Sequence, residues 1–155
     1  MASRAPLNVL IVEDEVLLAT ELGYLVEEAG CHSVGHAETS QDAIALAGRL
    51  HPDLVLVDVH LRDGPTGIDV ARRIEAEGGT VALFMTANVM RLPADFAGAC
   101  GVVGKPYSGN AVKAALHYLD ICLREGYAPG LPPVGLQLAP VWAHRWGLDD
   151  TPMSA

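Results

Sequence analysis

Hydrophobic positions along the chain alternate between two patterns. Short apolar runs read as buried strands: LNVLIV at 7–12, CHSVGHAE at 31–38, residues 53–58, TVALFMT at 80–86 and GVVGK at 101–105. Longer stretches with apolar residues three and four apart read as helices. EVLLATELGYLVEEA at 15–29 puts Leu18, Leu22, Leu25 and Val26 on one face and stops at Gly30. Residues 41–50 carry Ile44, Leu46 and Leu50, with Thr39 or Ser40 as the cap and Pro52 as the stop. TGIDVARRIEAE at 66–77 forms a third helix. Residues 88–99 are only weakly helical and contain Pro93. Residues 108–125 form a long last helix, with Val112, Leu116, Leu119 and Leu123 on one stripe.

Five strands alternating with about five helices predict an α/β fold: a parallel, doubly wound sheet covered on both faces. Functional groups in such sheets gather at the carboxyl ends of the strands. The chain has 155 residues, half of them hydrophobic, which suits one domain spanning roughly 1–125. From 126 the pattern breaks. APGLPPVGLQLAPVW holds four of the ten prolines, so 126–155 is expected to be an extended arm, neither a regular helix nor a central strand. That arm also carries both tryptophans, Trp142 and Trp146, with Leu136, Leu138 and Val141.

Charge and cysteines narrow the functional classes. A formal charge of −9 opposes direct binding to phosphate backbones, which rests on Lys and Arg. No apolar run is long enough to span a bilayer, and MASRAP does not read as a signal peptide. Cys31, Cys100 and Cys122 form no CxxC pair and are expected to be reduced core thiols in the cytoplasm. The five other histidines besides His60 show no metal-ligand spacing. Neither GxGxxG nor GxxxxGK[ST] occurs, which argues against a nucleotide enzyme.

The strand ends carry the chemistry. The first ends at Glu13–Asp14, the third at Asp58, the fourth at Thr86 and the fifth at Lys105. Parallel strands would bring three carboxylates, one hydroxyl and one ammonium to one rim. Carboxylates are hard oxygen ligands suited to Mg²⁺, and their mutual repulsion calls for a divalent cation or a cationic side chain. A carboxylate can also act as a nucleophile and form an aspartyl phosphate, with Lys105 stabilising the phosphoryl oxygens. Each residue has an ordinary reading too: Asp14 as a helix cap, Asp58 as a turn former, Thr86 as a strand-end hydroxyl bonded to backbone, Lys105 as a surface lysine. Their joint fall on successive strand ends is what argues for a site.

Through VLIVEDE, LVLVDVHLRDGPTG, FMTA and GKPY, residues 7–125 resemble the receiver domain of two-component response regulators. The resemblance implies a flavodoxin-like sheet of order 2-1-3-4-5. It implies Asp58 as the acceptor of a phosphoryl group from a sensor histidine kinase, with Thr86 and Lys105 reading that group. It implies Mg²⁺ on Asp14, Asp58 and the backbone carbonyl of His60, with Glu13 acting through water, and a loop shaped by Gly64 and Gly67. It implies no ordinary enzyme, only self-phosphorylation and self-dephosphorylation. One position departs from the pattern: Val102 stands where receivers often carry an aromatic residue that swings inward, and Tyr107 is the nearest aromatic substitute.

The arm is too short, proline-rich and acidic for a helix-turn-helix. The expected protein is therefore a single-domain cytoplasmic regulator whose output is a protein contact. Its apolar arm has two docking sites open to it, its own domain or a second copy; the favoured expectation is a homodimer through the last helix and Leu136, Leu138, Trp142 and Trp146. A phosphate sink in a relay, and a receiver-like scaffold without phosphorylation, are the competing readings.

Overall fold

The structure is a computed structural model and describes residues 5–148. In chain order it runs β1 (Asn8–Val12), α1 (Val16–Glu28), β2 (His32–Ala37), α2 (Ser40–Leu50), β3 (Leu54–Val57), α3 (Gly67–Glu77), β4 (Val81–Thr86), β5 (Gly101–Gly104), α4 (Gly109–Glu125), β6 (Leu136–Leu138) and α5 (Pro140–Arg145). The sheet order is β2-β1-β3-β4-β5-β6. The first five strands are parallel, as expected, and β6 joins antiparallel to β5.

The inner strands are buried throughout because both faces of the sheet are covered. Side chains alternate between two cores. Val9, Ile11, Leu54, Leu56, Leu83, Met85 and Val103 pack with Leu22 and Val26 of α1 and Leu116 and Leu119 of α4. Leu10, Val12, Val55, Val57, Phe84 and Val102 pack with Ala43 of α2 and Val70 and Ile74 of α3. Each such side chain contributes about 1.5–3 kcal/mol on burial. This two-sided packing holds the strand ends still.

Local signals account for some elements and not for others. Thr39 caps α2, its hydroxyl accepting from the Asp42 amide at 3.2 Å. All three cysteines are buried and free. The weakly helical segment 88–99 forms no α-helix; it makes two short 3-10 turns, Val89–Arg91 and Phe96–Gly98. Pro93 removes an amide donor there, and Phe96, Ala97 and Gly98 all take the left-handed conformation.

The arm corrects an expectation. It is not simply extended: it adds an edge strand and a one-and-a-half-turn helix begun by Pro140, a residue suited to that first helical position. It docks on its own chain. Leu136, Ala139 and Trp146 are buried, and Leu138 and Trp142 are partly buried against the cores. The indole of Trp142 donates to Gly98 O at 3.1 Å, and Tyr118 Oη donates to Gly130 O at 2.6 Å. Gly101 makes the pairing possible, since a Cβ there would lie 2.4 Å from Gln137 O. Leu136, Leu138, Trp142 and Trp146, which motivated a homodimer, thus pack within one chain, while Leu131, Val134 and Val141 stay exposed.

Candidate functional site

Backbone register brings the strand ends together. Val12 and Val57 are paired neighbours, so Glu13 and Asp58 follow side by side. The Glu13 amide donates to Ala37 O at 2.9 Å and the Asp58 amide to Val12 O at 3.0 Å. Thr86 pairs with Gly104, and the Lys105 amide donates to Thr86 O at 2.8 Å. A cis peptide joins Lys105 to Pro106.

At this rim Lys105 Nζ lies 3.0 Å from Glu13 Oε1 and 3.0 Å from Asp58 Oδ2. One oxygen each from Glu13, Asp14 and Asp58 lie within 4.8 Å of one another, the only such acidic, histidine or cysteine cluster among the described residues. This meets the chemistry of a hard divalent cation, which takes oxygen ligands and keeps several waters. The three do not fit it equally. Glu13 is 1% exposed, and both its carboxylate oxygens are engaged, one by Lys105 and one by the Glu15 amide at 3.1 Å. Asp14 is half-buried and is not spent as a helix cap, because α1 begins without any side-chain cap. Asp14 and Asp58 are therefore the better direct ligands, with Glu13 behind them.

Burial raises the Glu13 pKa above its ordinary value, and the Asp58 charge adds to that, while the Glu15 amide and Lys105 oppose it. Burial would lower the Lys105 pKa, but its hydrogen bonds to Asp58 and Glu13, with the attraction of their charges, together outweigh it and hold the ammonium above its usual range. The Glu13 direction follows from burial, and the Lys105 direction from two carboxylates around one ammonium.

The Thr86 hydroxyl is buried and accepts from the Asn88 amide at 3.1 Å. A hydroxyl that accepts keeps its own proton to donate. His60 has an exposed side chain in the loop after Asp58. Gly64 takes φ +113° there, and Gly67 brings the start of α3 against the acidic loop, where a Cβ would lie 2.1 Å from Asp58 O. Asp63 ties this loop to α2: it accepts from Ser40 Oγ at 2.6 Å and from Thr66 Oγ1 at 2.7 Å. Arg62, the nearest base in sequence, turns away to pair with Glu38.

His36 carried no signal of a role in the sequence, yet its Nε2 lies 2.7 Å from Glu13 O. Only the pairing of β1 with β2 reveals that contact. Tyr107 has a buried hydroxyl without a partner among the described residues, and burial pushes its pKa up to about 12. It lines a pocket of about 350 Å³ with Leu18, Glu21, Ala87, Lys105 and Pro106, beside the acidic rim. A larger cleft, about 560 Å³, lies at the opposite ends of the strands and includes Asn8, Asp53 and Arg124. Two of its charged groups are already used, Asp53 by the Asn8 amide and Arg124 by Asp120.

Comparison with known proteins gives this rim its context. The family model described as the response regulator receiver domain matches residues 9–117. The chain belongs to that family. It is 30% identical over 118 residues to the phyllosphere-induced regulator PhyR of Methylorubrum extorquens, covering 75% of this chain and 44% of the relative. It is 38% identical over 108 residues to the transcriptional regulatory protein PdtaR of Mycobacterium tuberculosis, covering 66% and 51%. The chain thus spans about half the length of these curated relatives. Among solved structures, the receiver domain of Erythrobacter litoralis PhyR superposes with a TM-score of 0.65 at 30% identity, over 84% of this chain and 98% of that one. PhyR from Bartonella quintana, described as an anti-anti-sigma factor, gives 0.60 at 30% identity, over 71% and 45%. Receiver domains are generally not classical enzymes, typically bind Mg²⁺ at an acidic pocket and imply a histidine kinase partner. No helix among the described residues is long and apolar enough to cross a membrane.

Proposed function

We propose that this chain is a phosphorylation-dependent cytoplasmic signalling module that accepts a phosphoryl group on Asp58 from a histidine kinase. The observation that carries the reading is the Lys105 ammonium shared between Glu13 and Asp58 at 3.0 Å each, with Asp14 in the same cluster. It sets a fixed cation beside a carboxylate that is 12% exposed, so the acceptor is held still and yet reachable.

In the transfer, a carboxylate oxygen of Asp58 bonds to phosphorus as the phosphorus–nitrogen bond of the donor phosphohistidine breaks, and the leaving imidazole takes up a proton. Lys105 exchanges part of its contact with Asp58 for a phosphoryl oxygen, and Thr86 donates its hydroxyl proton to another. Asp14, Asp58 and the His60 carbonyl would hold Mg²⁺, with Glu13 behind them, and the ion would supply further compensation of the phosphoryl charge. Output runs through a protein contact, in keeping with the net acidity and with the anti-anti-sigma description carried by the Bartonella relative. Residues 1–125 act as the receiver unit, and the described part of the arm, 126–148, packs against it.

Intact mass after incubation with Mg²⁺ and acetyl phosphate tests this, with Asp58→Asn in parallel. The expected result is one phosphoryl group in the parent and none in the variant. Equal gain in both would place the acceptor elsewhere, and gain in neither would favour an unphosphorylated scaffold.

A further inference from the structure

The segment that joins Thr86 to β5 is strained and clamped. Phe96 and Ala97 have φ of +55° and +52°, and Gly98 completes a run of three left-handed residues. For residues other than glycine this conformation is held only when the surroundings over-determine it. The surroundings here are specific. Asp95 caps the turn through the Ala97 amide at 2.9 Å and pairs with Arg72 at 2.8 Å. Phe96 and Ala97 are buried. Gly98 O accepts from the Trp142 indole at 3.1 Å.

The arm grips the other end of the same unit. Leu136, Gln137 and Leu138 pair with Val103, Val102 and Gly101, and the Ala139 amide donates to Cys100 O at 2.8 Å. Thr86 and Lys105 lie at the two ends of the stretch this clamp holds: Thr86 leads into it, and Lys105 follows it directly. Val102, in place of an aromatic switch, is 1% exposed and packs in one core with Phe84, Phe96 and Ala139. An inward swing of a β5 side chain has no space there, so motion of Thr86 and Lys105 passes to the clamp.

We propose that residues 136–146 form a cover over the β5 edge and the 95–98 turn, and that phosphorylation of Asp58 loosens it. This rests on the receiver reading above. As Thr86 and Lys105 draw toward the phosphoryl group, β5 and the turn shift against the arm, and the two anchors at Cys100 O and Gly98 O weaken. A loosened cover exposes the β5 edge and the Trp142 seat together.

Both tryptophans of the chain lie in the arm, so intrinsic emission reports on the cover alone. The full chain, with and without acetyl phosphate and Mg²⁺, is followed by tryptophan emission and by exchange of the Ala139 amide, with intact mass on the same samples. The expected result is a red shift and at least roughly tenfold faster Ala139 exchange in the phosphorylated sample, with neither in Asp58→Asn. Trp142→Phe, which removes the bond to Gly98 O, is expected to give the fast exchange without phosphorylation. A full phosphoryl gain with unchanged emission and exchange would make the arm a fixed part of the fold and overturn the cover. Absence of any phosphoryl gain would overturn the phospho-acceptor reading, and the cover with it.

Discussion

Lys105 and Asp58 stand 47 residues apart in the chain and 3.0 Å apart in the fold. The buried carboxylate of Glu13 takes the other side of the same ammonium. This shared ammonium is both a structural tie and the proposed anchor of the phosphoryl group, and the two roles are separable by experiment.

Lys105→Met is expected to lower stability at pH 7 by roughly 1–3 kcal/mol, because it leaves buried charge without its partner. Thermal melts at pH 7 and pH 4 check this. The difference should shrink at pH 4, where Glu13, whose pKa burial raises, is increasingly protonated, and phosphoryl gain should be abolished at pH 7.

Glu13 gives the opposite sign. Burial holds its folded pKa above 4.5, so its contribution is fully present below that value and is lost as pH rises through the folded pKa. Glu13→Gln is therefore expected to raise the melting temperature at pH 7 in chelator and to have little effect below pH 4.5. Added Mg²⁺ should stabilise the parent more than the variant, as binding to the native state raises stability. Melts with and without metal at both pH values would show a sink for this idea if Glu13→Gln were less stable throughout.

Gly67→Ala places a methyl group 2.1 Å from Asp58 O, a backbone atom that cannot step aside. The expected cost is about 2–4 kcal/mol, with the loop after Asp58 displaced. Denaturant titration measures the cost, and the yield of phosphorylation should fall in the residual folded protein.

Val102→Tyr is expected to destabilise by about 1–3 kcal/mol, because Phe84, Phe96 and Ala139 already fill the core around it. If the variant were instead as stable as the parent, the space for an aromatic switch would exist and the arm would not be its replacement.

Trp146 is 4% exposed in the core shared with α4. Trp146→Ala should cost about 3–5 kcal/mol, a core-sized loss from a residue in a segment whose composition resembles a tail. Urea unfolding reads it directly.

The sequence by itself determined the parallel sheet and the residues of its rim. Apolar runs such as LVLV at 54–57 and LNVLIV at 7–12 specify buried strands locally, and the βα alternation leaves few topologies. Once the strands are parallel, Glu13, Asp14, Asp58, Thr86 and Lys105 must share an edge. Tertiary structure decided what local pattern cannot encode. Segment 88–99 gave up its weak helical tendency because Pro93 removes an amide donor and the left-handed turn at 96–98 packs with Trp142. Gln137 and Leu138 form a strand only because Gly101 lets another backbone approach within 2.4 Å of where a Cβ would stand. Prolines in the arm removed the usual signs of regular structure, and an edge strand of three residues has too short a pattern to show one. The partner that completes it lies some 35 residues earlier in the chain, and contacts at that separation depend on packing, not on periodicity.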